Sequence, residues 1–191
     1  DVSLRGKCVV VAEEITVTAK ADLHGTLLFG KRIHFQSGFE GDIQAFALDT
    51  LWVEEGVKLY YPSVLHISKH NNQTATFLHL ASNSYVQGMV TYERSLFRQS
   101  APNRGDRCYI GQGSRIEGML YASHQLDLRG EVIGSVTAGN IVHQGPARLY
   151  KNYLVDAQIN ASRLSSHYLA PCIFSQAKYR ILTWLDYQEV H

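Results

Sequence analysis

The chain has 191 residues, long enough for one domain with an ample core, and its 18 basic and 17 acidic residues give a formal net charge of +1. This balance excludes the basic footprint of a nucleic-acid-binding protein and a polybasic segment that would hold a membrane surface. Only 18% of the residues are charged, a share that favours an exported or envelope β protein over a cytosolic enzyme.

A five-residue phrase, apolar-x-Gly-x-apolar, occurs seven times along the chain. In an extended strand the apolar residues and the glycine share one face, while the two x residues point the other way. A buried glycine weakens a strand, so its recurrence predicts tight corners or close contact between successive layers of chain. We therefore expect a structural role for the seven central glycines, which are Gly6, Gly25, Gly41, Gly88, Gly118, Gly130 and Gly134.

Residues 1–67 alternate apolar and polar positions with period two, which predicts short strands of a first solenoid array. The interval from Gly25 to Gly41 equals the interval from Gly118 to Gly134, and the interval from Gly88 to Gly118 is close to two such steps. This spacing predicts a coil of roughly 16–18 residues in an all-β parallel β-helix, because such folds repeat one structural unit per coil. An amphipathic helical period is not found in this part of the chain.

The rest of the chain divides into three segments. Residues 68–108 read as an irregular insertion with some strands, because Pro62 interrupts the first array and residues 99–106 form a loop. Residues 109–145 form a second array, in which residues 116–136 hold the densest repeat. Residues 146–191 are predicted to cap the solenoid, with residues 177–187 as a closing strand or an amphipathic cap. The whole chain is thus one domain.

The densest repeat contains Ile116-Glu-Gly118-Met-Leu120 and continues through Leu128-Arg-Gly130-Glu-Val132-Ile-Gly134-Ser-Val136. With these phrases the chain resembles the bactofilins, bacterial cytoskeletal proteins that form polymers. The resemblance implies a right-handed β-helix that polymerises end to end. Residues 60–112 and 146–191 depart from that pattern. With Leu59-Tyr-Tyr-Pro62-Ser63 the chain is also similar to uncharacterised bacterial envelope proteins, in which such a domain follows an N-terminal membrane segment.

Metal and cofactor sites are not predicted. Cys8, Cys108 and Cys172 are odd in number and lack a CxxC pair, which argues against a zinc site and a disulfide framework. His66 and His70 are four residues apart, but on a strand that spacing places them about 13 Å from each other, too far for one ion.

Carboxylates occur repeatedly at the outward positions of the glycine phrases, where stacked coils could align them into a catalytic or calcium-binding stripe. Arg115, Arg129 and Lys31 are interleaved with them, so neutralised surface charge is the simpler interpretation. The carboxylates concerned are those of Glu40, Asp42, Glu117, Asp127 and Glu131.

Two further sets of residues are candidate sites. Ser63, Ser84 and Ser123 lack the GxSxG context of a nucleophile. Aromatic residues could form a sugar-binding platform, although filling corners or a cap is the more ordinary role for them. The aromatic residues in question are Trp52, Tyr60, Tyr61, Tyr150 and Tyr153.

We therefore predict a non-catalytic structural or assembly module of a bacterial cell envelope, which acts through its surface and by self-association. The expected partners are a second copy, an envelope protein or a glycan, but not nucleic acid. Because the sequence begins with Asp1, membrane attachment is expected only through a preceding anchor, and a cytoplasmic, membrane-associated location is the alternative. The alternative functions are a carbohydrate-binding or carbohydrate-active β-helix and an antiparallel β-sandwich adhesin or pilus-like subunit.

Overall fold

The computed structural model describes residues 2–69, 75–94, 106–145 and 148–168. In these ranges the protein consists of β-strands and one short 3₁₀ helix, without an α-helix, so the predicted all-β class is confirmed. The strands are β1 Ser3–Arg5, β2 Val9–Val17, β3 Asp22–Phe35, β4 Glu40–Val53, β5 Lys58–Lys69, β6 Phe77–Leu80, β7 Tyr85–Arg94, β8 Arg107–Ile110, β9 Arg115–Leu128, β10 Glu131–Gln144, β11 Leu149–Lys151 and β12 Gln158–Ile159, and the 3₁₀ helix is Ala161–Arg163.

Strand pairing is parallel in every described ladder except the antiparallel pair of β10 and β11. The main path of neighbours runs β1-β3-β4-β5-β7-β9-β10-β11. Parallel strands need a long connection between them, whereas a sandwich of hairpins pairs antiparallel neighbours. The antiparallel β-sandwich among the alternatives is therefore wrong for the described residues.

Two strands change their pairing partner halfway along. The first part of β4 pairs with β5 and its last part pairs with β6, while β9 pairs with β7 and then with β8 on the same edge. Since β5 also pairs with β7 and β6 with β8, the six strands β4, β5, β7, β9, β8 and β6 form a closed ring.

The register shows where the predicted spacing is right. Gly118 lies opposite Gly134, a step at the short end of the predicted range, whereas Ile15 and Ile33 lie opposite each other at its long end. Gly88 lies directly opposite Gly118, so the interval between them is one long step and not two. The extra length is accounted for by the chain between β7 and β8, which includes residues 95–105 outside the described part.

The middle of the chain is more regular than the sequence indicated. β6, β7 and the first half of β8 lie within residues 68–108, and all three strands pair in register with their neighbours. The interruption at Pro62 is a shift of register between Leu59 and Ser63 inside β5, and it does not end the strand. Strands predicted at about five residues reach 14 residues in β3, β4, β9 and β10, because the pairing continues around a corner.

The core is built from columns of inward-facing apolar residues, one from each successive strand. The column Leu28, Ala45, Leu65, Val90 and Leu120 is at most 1% exposed, because each residue packs between the ones before and after it. Truncating a buried leucine of this kind costs about 2–5 kcal/mol in a close-packed core. The burial of these columns is thus the main source of stability.

The two ends of the ladder differ. β1 and β2 pair only with β3, so among the described residues their outer edge has no strand beside it. At the opposite end β10 pairs with β9, with β11 and with β12, and the 3₁₀ helix contacts it. The end formed by β1 and β2 is therefore open, whereas the end formed by β10 is covered at residues 131–132 and 142–144.

Candidate functional site

The central glycines of β7, β9 and β10 form a stack that brings three backbones close together. Gly88, Gly118 and Gly134 lie opposite one another with φ of 143°, 140° and 144°, values that side-chain-bearing residues rarely adopt. A Cβ on Gly118 would overlap the carbonyl oxygen of Gly88, and a Cβ on Gly134 would overlap that of Gly118. These three positions therefore require glycine for conformation and for space.

The other four glycines do not share one environment. Gly41 and Gly130 are buried. A Cβ at Gly41 would lie 2.6 Å from the carbonyl oxygen of Leu23, and one at Gly130 would lie 2.5 Å from that of Ser114. Gly6 and Gly25 are exposed, so the inward face that the phrase predicted is not where the structure places them. Most of the seven positions are closed to a Cβ by neighbouring backbone, and those of Gly41 and Gly118 also by the side chains of Phe39 and Tyr168.

Two of the outward carboxylates, those of Glu40 and Glu131, belong to a ladder in which each has a cation beside it. Glu40, Lys58, Tyr85, Arg115 and Glu131 occupy successive positions on β4, β5, β7, β9 and β10. The Lys58 ammonium lies 2.7 Å from Glu40, and the Arg115 guanidinium lies 2.8 Å from Glu131. Carboxylates with a cation at this distance balance charge along the surface, and they do not gather into an acidic stripe.

The electrostatics of Glu40 are the opposite of what a general acid needs. The hydrogen bond from Lys58, with one from Tyr60, lowers the pKa of Glu40. On β3, outside the ladder, hydrogen bonds from Ser3 and Arg5 lower the pKa of Asp22 in the same way. A glycosidase acid instead has a raised pKa so that it holds its proton near neutral pH. Glu40 and Asp22 thus lack the electrostatics of a general acid.

The other candidate carboxylates do not gather at one place. Asp42 accepts a hydrogen bond from the backbone N–H of Gly25 at 2.8 Å and contacts the His24 ring. Glu117 accepts one from the Gln87 amide at 3.4 Å and another from Tyr85 of the ladder. Each carboxylate stabilises its own pair of neighbouring strands, so the alternative of a catalytic stripe is not observed among them.

Asp127 is the fully buried carboxylate of the set, and Arg129 neutralises it. The guanidinium donates to both carboxylate oxygens, from Nε at 3.1 Å and from Nη2 at 3.0 Å, and Nη2 also donates to the Gln144 carbonyl at 2.8 Å. The guanidinium carbon lies 5.4 Å from the Tyr109 ring centroid. Asp127 raises the pKa of Arg129 through this pair. Because Arg129 also binds the Gln144 carbonyl, the pair connects the end of β10 to β9.

An aromatic ladder crosses β4, β6 and β8. The ring centroids of Trp52 and His79 are 4.1 Å apart, and those of His79 and Tyr109 are 4.9 Å apart, with interplanar angles of 12° and 15°. Burial, with the nearby charge of Arg107, lowers the pKa of His79 to about 4, so its ring is neutral at neutral pH. In this ladder both faces of the His79 ring and one face each of Trp52 and Tyr109 are covered by a neighbouring ring, so those faces are not available to stack on a sugar.

The remaining candidate aromatics are dispersed. Tyr60 donates to Glu40 at 2.8 Å and packs edge-on against Tyr85. Tyr150 packs edge-on against Tyr153 in the segment around β11, away from β5 in the strand order. The alternative of a sugar-binding platform therefore is not assembled as one surface, and its members have separate neighbours.

Tyr61 borders a small cavity with Tyr168. The two rings meet edge-on at 6.2 Å, and the cavity of about 210 Å³ also includes Gln87, Glu117 and His167. The Tyr168 hydroxyl donates to the Gly88 carbonyl at 3.0 Å, and the Gln87 amide donates to Glu117. These contacts hold residues 164–168 against the glycine stack, which gives the cavity a structural explanation.

The histidine and cysteine candidates do not assemble a metal site in the described ranges. No group of three or more His, Cys, Asp or Glu side chains suited to a metal occurs there. His66 lies 2.6 Å from the Thr91 hydroxyl, and His70 lies outside the described residues. Cys8 is half-buried and Cys108 is buried, where burial raises the pKa of its thiol, while Cys172 again lies outside.

The serine candidates serve the backbone. The Ser63 hydroxyl donates to the Tyr60 carbonyl at 2.5 Å and accepts from the Ile43 N–H at 3.2 Å. The Ser84 hydroxyl donates to the Glu54 carbonyl at 3.0 Å, and Ser123 lies within β9. Because these hydroxyls of Ser63 and Ser84 bridge neighbouring strands, they have the role of corner residues.

Two apolar surfaces are the most distinctive sites in the described residues, and the sequence analysis did not identify either of them. The first is a groove of about 600 Å³ at the open end, lined in part by Leu4, Val10 and Ile15. The second is a groove of about 640 Å³ beside Phe29 and Phe46. The period-two pattern of residues 1–67 contained the signal, since residues 9–11, all valine, break the alternation and place apolar side chains on both faces.

Protein-family models, curated proteins and solved structures were each compared with the chain, and none of them matches it. The resemblance to the bactofilins therefore stays a prediction from residues 116–136. Within the described part of the chain, no helix has the length and apolar character needed to cross a membrane.

Proposed function

We propose that this protein is a non-catalytic structural module, built as a parallel β-solenoid, that associates with a second copy through its open end. The observation that carries the proposal is the unpaired outer edge of β1 and β2 together with the half-buried apolar residues beside it. Bacterial envelope location and a bactofilin relationship rest on the sequence phrases alone and are retained as parts of the proposal.

The strand pairing supports a layered solenoid. In a simple closed barrel a strand has one neighbour on each edge, whereas β4 has β3 on one edge and both β5 and β6 on the other. This pattern follows if β5 and β6 are two halves of the layer after β4, and β7 and β8 are two halves of the next. The ring of six strands then corresponds to stacked layers, β4, β5 with β6, β7 with β8, and β9.

The engagement of polar groups supports a non-catalytic role. Glu40 and Glu131 are paired with cations, and the aromatic faces of His79 are covered by Trp52 and Tyr109. An active site needs a titratable group with a perturbed pKa in a cleft beside a second group that it can act with. The groups stacked on the perturbed His79 ring are the side chains of Trp52 and Tyr109, so His79 contributes to packing.

The open end has the features of an interface. Leu4, Val10 and Ile15 pack against the core but stay half-buried, whereas Leu28 and Ile33, opposite the last two in β3, are each 1% exposed. Burial of such side chains against another apolar surface contributes about 25 cal/mol per Å². A free strand edge also presents unpaired N–H and C=O groups that a further strand can bind.

A second copy fits this edge by charge and by symmetry. In antiparallel pairing of β2 with β2 about a two-fold axis at Val10, Val9 of one copy faces Val11 of the other. If the register continues two residues beyond the start of β2, Lys7 of the second copy comes opposite Glu13, whose side chain is 72% exposed. In the described part of the chain the outer edge of β2 is free along its length, whereas β10 already pairs with β12 at residues 131–132 and with β11 at residues 142–144, which favours this isologous contact.

Light scattering of the full chain over a series of concentrations tests the proposal. We expect a dimer that dissociates on dilution and that Val10→Lys converts to a monomer with unchanged far-UV circular dichroism. Ile159→Lys is the matched control, since Ile159 is 42% exposed in β12 at the opposite end. A parent that is monomeric at every concentration, or a dimer lost only in Ile159→Lys, contradicts the proposed contact.

A charge exchange identifies the register. Lys7→Glu is expected to weaken the dimer because it places two acidic groups opposite each other, and Lys7→Glu with Glu13→Lys is expected to restore it. Dimers that form equally well in the single and double variants would rule out pairing about Val10, while leaving the open end as the interface if Val10→Lys still dissociates them.

A further inference from the structure

The small cavity beside the glycine stack is lined by an acidic side chain. It has a volume of about 210 Å³ and lies between Gln87 of β7, Glu117 of β9, and the rings of Tyr61 and Tyr168. The contacts of Tyr168 explain how residues 164–168 are held against the strands, but they do not require a carboxylate in this position. A half-buried carboxylate is stable when a cation compensates its charge. The partners of Glu117 therefore decide whether the cavity can act as a site.

The partners of Glu117 are neutral groups. The Gln87 amide donates to it at 3.4 Å, and the Tyr85 hydroxyl donates to the same carboxylate. Burial, with this hydrogen bond, raises the pKa of Tyr85 to about 12, so the phenol is uncharged at neutral pH. The residues opposite Glu117 on the neighbouring strands are Gln87 and Ile133, which are uncharged as well. Among the described residues, no ion pair includes Glu117.

The nearby carboxylate of Glu131 has the opposite situation, because two cations pair with it. The Arg115 guanidinium lies 2.8 Å from Glu131, and Arg163 of the 3₁₀ helix pairs with the second carboxylate oxygen. Arg115 is two residues from Glu117 on the same strand, yet it is directed towards β10. The charges of this surface are thus not shared evenly between the two carboxylates, and Glu117 remains available to a cation that is not part of the described chain.

Two tyrosine rings form a wall of the same cavity. Tyr61 and Tyr168 meet edge-on with their centroids 6.2 Å apart. The Tyr168 hydroxyl donates to the Gly88 carbonyl at 3.0 Å, which fixes its ring. Gln87 accepts from the backbone N–H of Tyr61 at 3.3 Å and donates to Glu117, so one amide positions both a ring and the carboxylate. The face of a tyrosine ring is electronegative and attracts cations.

We infer that this cavity binds an organic ammonium group, with Glu117 as its counter-ion and the rings of Tyr61 and Tyr168 as its aromatic wall. A carboxylate repels anionic ligands, whereas a carboxylate and aromatic rings together favour a cation. The volume is below the roughly 300–1,000 Å³ of sites for drug-sized ligands, so the cavity selects one small head group. The site lies on β5, β7 and β9, away from β1 and β2, and is independent of the proposed dimer.

An NMR titration of the ¹⁵N-labelled full chain tests this inference. Butylammonium chloride and tetramethylammonium chloride are the probes, and sodium chloride at equal ionic strength is the reference. The amide signals of Gly118 and Met119 report on the cavity, because Tyr168 packs on Gly118 and accepts a hydrogen bond from the Met119 N–H. We expect saturable shifts of these signals with a dissociation constant on the order of 1–10 mM for at least one probe.

Substitutions separate the charge from the aromatic contact. Glu117→Gln keeps the size of the side chain and removes its charge, so we expect about tenfold weaker binding. Glu55→Gln is the matched control, since Glu55 is an exposed carboxylate between β4 and β5, and binding should not change. Tyr61→Leu keeps an apolar contact without the ring and should weaken binding about threefold. Thermal melts of each variant confirm that the fold is retained.

The source of the ammonium group is distinguished by Nα-acetyl-lysine methylamide, which carries the same head group as butylammonium on a peptide unit. Tighter binding of the lysine derivative assigns the cavity to a lysine side chain of a partner protein, and equal or weaker binding assigns it to a free amine. Shifts no larger than those in sodium chloride, or equal affinities of the parent and Glu117→Gln, would overturn the inference. Binding of methyl glucoside without binding of either ammonium probe would also overturn it and assign the cavity to a sugar. The Val10→Lys variant should bind the probes as the parent does, whatever its oligomeric state.

Discussion

The strands at the start of the ladder, β1 and β2, differ from those at its end, β9 and β10, in how their edges and outer surfaces are packed. β1 and β2 pair with β3 at longer steps along the chain, keep their outer edge free and expose valines on the outer surface. β9 and β10 pair at a shorter step, bring glycine backbones into contact and are covered by β11, β12 and residues 164–168. Further strands thus cover part of the outer edge of β10, whereas no described strand covers that of β2.

This difference separates stability from association. Tight glycine contacts and the buried Asp127–Arg129 pair lie in β7 to β10, where substitutions are expected to unfold the protein. The exposed valines of β2 lie where substitutions are expected to change association with little effect on folding. The predictions below test this division, beginning with the largest expected effect.

Gly118→Val is expected to cost at least about 4 kcal/mol of unfolding free energy, because the side chain would overlap the Gly88 carbonyl and the φ of 140° disfavours any β-branched residue. Gly130→Val should also destabilise, since its Cβ would lie 2.5 Å from the Ser114 carbonyl oxygen. Urea unfolding followed by circular dichroism measures both.

Gly6→Val is the control at the open end. No atom lies within 4 Å of a Cβ at Gly6, so only the strain of φ 92° remains, about 1–3 kcal/mol. Equal losses in Gly6→Val and Gly118→Val would show that the glycine stack adds nothing beyond backbone conformation, and the comparison of the two ends would fail.

Arg129→Met is expected to cost about 3 kcal/mol, because it leaves the Asp127 carboxylate fully buried without its cation. Arg129→Met with Asp127→Leu should recover much of this loss, since an apolar pair needs no counter-charge. Chemical unfolding of the single and double variants measures the coupling. Additive losses in the double variant would mean that Arg129 acts through its contact with Tyr109 and not through Asp127.

His79 predicts a smaller effect that depends on pH. Its pKa is about 4 in the folded protein and near 6.5 unfolded, so between these values the unfolded chain binds the additional proton. Stability is therefore full above pH 6.5 and falls as the pH is lowered towards 4, by on the order of 2 kcal/mol. His79→Phe keeps the ring and should remove this part of the slope in thermal melts at stepped pH. An unchanged slope would assign it to other groups.

The sequence predicted the class of fold from local physics. Period-two alternation and the spacing of Gly118 and Gly134 are short-range signals, and both correspond to pairings in the structure. Gly25 and Gly41 have the same spacing but are not opposite each other, because the longer step that pairs His24 with Asp42 sets the register there. Equal intervals between glycines therefore predict register only where the step length is constant.

The surfaces could not be predicted in the same way. Trp52, His79 and Tyr109 are separated by unequal intervals that are both longer than the predicted coil, so their stacking emerges only when the lengths of the intervening segments are known. The groove beside Phe29 and Phe46 likewise combines residues of β2, β3 and β4, and the register of these strands decides which of them become neighbours. The candidate sites named from the sequence relied on residue type, and the structure distributes most of them among separate strand pairs.

The joins between β5 and β6 and between β7 and β8 have a consequence for how this chain can change. They differ in length, yet β6 still pairs in register with β8 from Phe77 to Leu80. The two joins follow β5 and β7, which pair with each other, and the cost of lengthening a connection rises slowly with its size. Insertions in these joins are thus decoupled from the register of β6 and β8, which makes them a natural position for sequence variation or for a grafted peptide.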